Sequence, residues 1–95
     1  MECRLIKFSS HAIQRMFERK IPKAAAISVV RNGEIIAEYP DDKPYPSHLL
    51  FAYVDGRPLH VLTALDNRES NCYIITVYEP DTKIWQKDFK TRRAK

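Results

Sequence analysis

The stretch from His48 to Tyr78, HLLFAYVDGRPLHVLTALDNRESNCYIITVY, decides the fold. It divides into three runs rich in β-branched and aromatic residues, 48–54, 59–66 and 72–78. Between them stand Asp55-Gly56-Arg57-Pro58 and Asn67-Arg68-Glu69-Ser70-Asn71. Both interruptions carry turn residues and are short enough for hairpins, so the runs predict neighbouring antiparallel strands. A fourth run, 34–39, reads the same way and joins the first through the proline-rich loop 40–47.

Toward the N-terminus the period changes from two to 3.6. Ser9-Ser10 offers a side-chain cap for a helix over Ser10–Lys20, whose Ala12, Ile13, Met16 and Phe17 share one arc and seek the core. His11, Arg15 and Glu18 fall opposite that arc. A second helix, Pro22–Asn32, starts on a proline suited to a first turn and is propagated by Ala24, Ala25 and Ala26; Gly33 is read as its left-handed stop. Residues 3–8 are a short extended segment. The expectation is an α+β domain in which two N-terminal helices pack on one face of a four-stranded antiparallel sheet. With 95 residues and 11.1 kDa the chain suits a single domain, 1–95, with one modest core.

Charge is unevenly spread. Residues 83–95 hold six Lys/Arg against one acid, a local +5, so within a net charge of +4 the other 82 residues sum to −1. A basic segment of this kind favours nucleic acid or an acidic protein segment as partner, a solvated, frayed terminus being the alternative. Trp85 and Phe89, interleaved with its charges, either pin the segment onto the body or stack on bases. No apolar run approaches the roughly 20 residues of a membrane span, so no membrane partner is expected. Cys3 and Cys72 have neither metal-ligand spacing nor the numbers for a disulfide framework; a reducing compartment, the cytoplasm, is the expectation. There is no glycine-rich phosphate loop, and His11, His48 and His60 lie on different elements, so no metal or cofactor is expected.

Strand alternation sorts the rest. Pairing Val54 with Leu59 and Asp66 with Cys72 collects Leu50, Ala52, Val54, Leu59, Val61, Leu65, Tyr73, Ile75 and Val77 on one face, for the helices to cover. The other face collects Leu49, Phe51, Tyr53, His60, Leu62, Thr76 and Tyr78, with His60 opposite Tyr78. That second face is expected to stay open as a shallow cleft. Imidazole and phenol together can serve as general base and acid; a core or edge histidine hydrogen-bonded to a neighbouring tyrosine is the alternative. On the first helix, Arg15 has the fork geometry for a phosphate, Glu18 can orient it and His11 can exchange a proton; a solvated helix face with ordinary charge pairs is the alternative.

Several segments together resemble a known family. They are Phe8-Ser9-Ser10-His11-Ala12, Arg15-Met16, Glu18-Arg19, Ile21, Arg31-Asn32-Gly33-Glu34-Ile35-Ile36, Tyr39-Pro40, Asp55-Gly56-Arg57-Pro58-Leu59-His60-Val61 and Ile74-Ile75-Thr76-Val77-Tyr78-Glu79-Pro80. The pattern is similar to a family of small prokaryotic proteins catalogued as a domain of unknown function, whose members look like relatives of the RelE and BrnT toxins. The resemblance implies a RelE-like fold and a metal-independent endoribonuclease of a type II toxin–antitoxin system, in which the 2′-hydroxyl attacks the adjacent phosphorus. It implies as partners RNA and a cognate antitoxin with a zinc-finger or helix-turn-helix domain. On this sequence the catalytic candidates are His11, Arg15, His60 and Tyr78, with the choice of base open. The RNA-contacting candidates are Glu18, Arg19, Tyr53, Lys83, Trp85, Lys90, Arg92 and Arg93. The chain lacks the C-terminal Tyr typical of RelE-type enzymes. A non-catalytic RNA-binding or antitoxin-binding module is the alternative.

Overall fold

The computed structural model describes residues 1–94. Its elements are β1 (Leu5–Phe8), α1 (Ser10–Glu18), α2 (Lys23–Asn32), β2 (Glu34–Tyr39), β3 (Ser47–Val54), β4 (Arg57–Asp66) and β5 (Asn71–Tyr78). The strands form one five-stranded sheet in the order β1-β5-β4-β3-β2. The class is α+β, but the expected four-stranded antiparallel sheet is corrected to a mixed one. The extended segment at the N-terminus becomes β1 and pairs parallel to β5, Leu5 opposite Asn71 through Phe8 opposite Ile74. Hairpin logic cannot find such a pair, because its partners lie at opposite ends of the sequence.

Local chemistry sets the element ends. The Ser9 side chain accepts from the Ala12 amide at 3.0 Å, closing the first turn of α1. Asp55 and Gly56 both have positive φ, 51° and 80°, which makes the β3–β4 connection a two-residue hairpin turn of the kind that matches strand twist. Val54 therefore opposes Arg57 rather than Leu59. The slip is two residues, so every side chain keeps its face. Gly33 ends α2 in an extended conformation, φ −75°, and not in the left-handed one expected. Glycine is needed there for close approach: a Cβ would press into the Val29 carbonyl and come 2.9 Å from that of Phe51.

One apolar cluster lies between the helices and the sheet, with Ala12 and Met16 of α1, Ala26, Val29 and Val30 of α2, and Leu50, Leu59, Val61, Cys72, Ile74 and Val77 beneath them. Two expectations change here. Residues Ala12 and Met16 form one i,i+4 row, Ile13 and Phe17 the next; only the first is buried, leaving Ile13 42% and Phe17 86% exposed. In the β4–β5 pair, Leu62 opposes Thr76 while Thr63 opposes Ile74, so Ile75 is the extra residue of a bulge. Before the bulge the faces invert, and Cys72 and Ile74 point to the helices in place of Tyr73 and Ile75.

The cysteines also depart from expectation. Cys3 and Cys72 are joined in a disulfide, Cα to Cα 5.7 Å, across a sequence separation of 69. The parallel pairing of β1 with β5 brings them together, a meeting invisible from spacing alone. Among the described residues no helix is long and apolar enough to cross a membrane.

Candidate nucleic-acid interface

The second face of the sheet is not open. Residues 81–93 fold back over it as a strap, held by an isolated bridge between Trp85 and Arg92 and by bonds from the Gln86 amide to the Thr91 carbonyl and from the Arg93 amide to the Ile84 carbonyl, each 2.8 Å. Asp88 builds the strap's turn, accepting from the amides of Lys90 (2.9 Å) and Thr91 (3.1 Å) and from the Thr91 hydroxyl (2.8 Å). Those bonds hold its carboxyl below the usual carboxylate range. The basic segment is thus pinned to the body, with Trp85 largely buried.

His60 sits under the strap and is fully buried. Its Nε2 lies 2.6 Å from the Phe89 carbonyl oxygen, which can only accept, so Nε2 carries the proton. In the neutral ring Nδ1 then accepts, and the Tyr78 hydroxyl, 3.2 Å away, donates to it. Trp85 meets the imidazole edge-on with centroids 4.5 Å apart, and Phe51 does so at 5.7 Å. Burial lowers the His60 pKa, opposed by the Phe89 carbonyl, and burial raises that of Tyr78, with Tyr39 adding to the rise and Arg92 opposing it. Both shifts keep the proton on the phenol. The imidazole orients Tyr78 and does not deprotonate it.

Beside this pair a groove of about 230 Å³ opens between β5 and the strap, lined by Tyr39, Asp42, Leu49, Leu62, Thr76, Tyr78, Trp85 and Arg92. The Arg92 guanidinium lies 5.7 Å from the Trp85 ring centroid. Among the described residues it has no carboxylate within ion-pair distance, although Asp42 borders the groove. Tyr53, 59% exposed, flanks the same face and packs edge-on against Phe89, centroids 6.2 Å apart.

The other predicted residues lie elsewhere. His11, Arg15 and Glu18 are exposed on α1, which packs on the opposite face of the sheet, and Arg15 pairs with Glu18 at 3.7 Å. The four catalytic candidates therefore do not converge: His60 and Tyr78 meet, whereas His11 and Arg15 stand across the sheet from them. Lys90 is tied to Glu34 at 2.9 Å, and Arg93 donates from Nε to the Thr82 carbonyl at 2.7 Å. Lys83 is exposed.

Arg57, not singled out from the sequence, closes a clamp at the sheet's end. Its Nε donates to Glu79 at 2.6 Å, Nη1 to the Lys20 carbonyl at 2.8 Å and Nη2 to that of Arg19 at 3.2 Å, satisfying the two carbonyls that follow the end of α1. Arg19 in turn donates to the Val77 carbonyl at 2.8 Å. Arg19, Arg57, Tyr78 and Glu79 line a cleft of about 370 Å³. The available signal was that three of the quoted segments each bring a charge to this one place. Compared with known families, the chain matches, over residues 8–79, the model described as Domain of unknown function (DUF4258). The chain belongs to the DUF4258 family. No curated protein and no solved structure matches it. The DUF4258 match takes in the clamp, His60 and Tyr78, and it ends ahead of the strap that carries Trp85 and Arg92.

Proposed function

We propose that this DUF4258 chain binds single-stranded RNA in the groove between β5 and the strap. The observation that carries the reading is Arg92, a guanidinium over the Trp85 ring, 5.7 Å from its centroid, that lines the groove together with Tyr39 and Tyr78. A phosphate fits such a fork, and bases stack on the neighbouring aromatics. The exposed cations of the strap add attraction along the approach.

Binding is favoured over cleavage because His60 is enclosed, neutral and committed at both ring nitrogens. One observation favours the second reading, a metal-independent endoribonuclease of the RelE/BrnT toxin type with a zinc-finger or helix-turn-helix antitoxin as partner: Tyr78, hydrogen-bonded to His60, lines the same groove as Arg92. In that reaction the 2′-oxygen bonds to phosphorus and the bond to the 5′-oxygen breaks. The 2′-proton passes to water and Tyr78 protonates the leaving oxygen, leaving a cyclic phosphate and a 5′-hydroxyl.

The test is labelled single-stranded RNA incubated with the protein in EDTA, read by anisotropy and on a denaturing gel. Intact but retained RNA, weakened by Arg92→Ala with a salt slope lower by about one, is the expected result. Fragments ending in cyclic phosphate and lost in Tyr78→Phe establish the second reading. Absence of both retention and fragments at low salt overturns both.

A further inference from the structure

The largest cavity described lies away from the His60 pair, on the same side of the sheet. It measures about 480 Å³ and is formed where loop 40–46 overhangs the bulged part of the β4–β5 pair. We propose that this cavity, walled by Tyr45, Tyr73, Ala64 and Ile75, binds one nucleobase of the RNA whose phosphate lies at Arg92; the assignment rests on the RNA-binding reading above.

Four observations carry it. The Tyr45 and Tyr73 rings are stacked, 7° between planes and centroids 5.6 Å apart, an aromatic stack that a planar base can extend. The bulge turns Ile75, an apolar residue, outward to 37% exposure, an arrangement that burial alone would not select. The volume falls within the range of small-molecule sites, roughly 300–1,000 Å³, whereas the 230 Å³ of the neighbouring groove falls below it. Finally, cations border the wall: Lys43 lines the cavity and Lys7 Nζ lies 6.0 Å from the Tyr73 centroid. Two acids stand close as well: Asp42 accepts from the Ser47 hydroxyl, and the Asp66 carboxylate beside Tyr45 pushes its phenol pKa up. An aromatic stack beside an apolar floor, bordered by charges of both signs, suits a planar base with polar edges better than an aliphatic ligand.

Position supports the same occupant. Asp42 borders both this cavity and the Arg92 groove, so the two are contiguous. From Tyr73 to Tyr78 is five residues of strand, roughly 16 Å at the usual rise, within the span of a tetranucleotide.

The experiment uses the full chain with labelled alanine and isoleucine methyls and arginine side chains, titrated by NMR with three probes: adenosine, inorganic phosphate and tetra-adenylate RNA. Adenosine is expected to shift the Ala64 and Ile75 methyls in a saturable way and phosphate to shift Arg92 alone, while the tetranucleotide shifts both sets. Tyr73→Leu, and the loop variant Tyr45→Ser should Tyr73→Leu fail to fold, weaken adenosine at least ~5-fold, the low end of stacking on one aromatic. Unmoved Ala64 and Ile75 methyls, or undiminished adenosine affinity in the folded variant, overturn the subsite. Adenosine binding here without retention of any RNA upholds the base site and removes the RNA reading. RNA retention with no effect of adenosine or of either variant does the reverse.

Discussion

On its helix side the sheet buries Leu50, Leu59, Val61, Ile74 and Val77 against Ala12, Met16, Val29 and Val30, with the Cys3–Cys72 disulfide at one end. On its strap side it offers Phe51, His60, Thr76 and Tyr78 to a short irregular segment that rests on Trp85, Phe89 and one buried imidazole bond. The first side is closed by contiguous apolar area, which scales with everything it covers. The second is closed by a few directional contacts, each of which can be lost separately. A face held in this way is able to open without the domain unfolding. It is also the face that carries the groove and the aromatic cavity, so the proposed recognition lies where the molecule is least committed to its own interior.

The difference is broken most strongly from the helix side. Replacing both cysteines, Cys3→Ala with Cys72→Ala, releases a cross-link between residues 69 apart. It is expected to lower unfolding stability by roughly 4 kcal/mol through the entropy of the unfolded chain. Denaturant unfolding checks this, and the transition should stay cooperative. A loss confined to the strap would mean that the two sides are not independent.

From the strap side, Trp85→Ala removes the main aromatic anchor. The amides of Gln86 and Arg93, bonded to Thr91 and Ile84, should lose at least tenfold hydrogen-exchange protection, while those of β4 keep theirs. Parallel loss in β4 would make the strap part of the global core and erase the contrast.

How much of this was legible follows the range of each interaction. The second helix end and the strands at 34–39, 48–54 and 72–78 were readable because turn residues and alternation act within a few positions; His60 opposite Tyr78 came from a register one residue off at the turn, Asp66 with Cys72 where the sheet pairs Asp66 with Asn71, and the bulge makes up the difference. The parallel strand Leu5–Phe8 and the disulfide were not, since both depend on the two ends of the chain meeting. The bulge at Ile75 was hidden because a run of Tyr73, Ile74, Ile75 and Thr76 alternates equally well in either register. Phe17 read as core on a helical wheel, yet α1 presses only its Ala12–Met16 row onto the sheet. The strap was visible as charge and two aromatics that pin it to the body or stack on bases, but its position over the His60 face was not, and it closes the expected cleft; His11 and Arg15 stand apart for a different reason, since α1 packs on the other face of the sheet.

Acid sharpens the comparison more gently. The folded pKa of His60 lies below its ordinary value of 6.5, with burial as the cause. Above the ordinary value both folded and unfolded imidazoles are neutral and this contribution is fully present. As pH falls from there toward the folded pKa, the unfolded chain takes the proton first and stability declines. Trp85 fluorescence should therefore report loosening of the strap on acidification below about pH 6.5, ahead of any change in the helix-side core. His60→Gln can still donate to the Phe89 carbonyl and accept from Tyr78, and it should flatten the response. An unchanged acid transition in that variant would assign it to another group.

The smallest effect is expected at Arg15, and it separates the two sides most cleanly. The Arg15–Glu18 pair is solvent-exposed at i,i+3, 3.7 Å apart, so Arg15→Ala should change stability by no more than about 0.5 kcal/mol. RNA retention should also be unaffected, because α1 lies across the sheet from Arg92. The comparison with Arg92→Ala controls for charge, since each variant removes one guanidinium from the same chain. If Arg15→Ala weakens retention as much as Arg92→Ala does, attraction is distributed over the surface and the groove has no privilege. If only Arg15→Ala weakens it, RNA lies along the exposed row of α1, and the strap is a structural cover over a histidine that plays no part in binding.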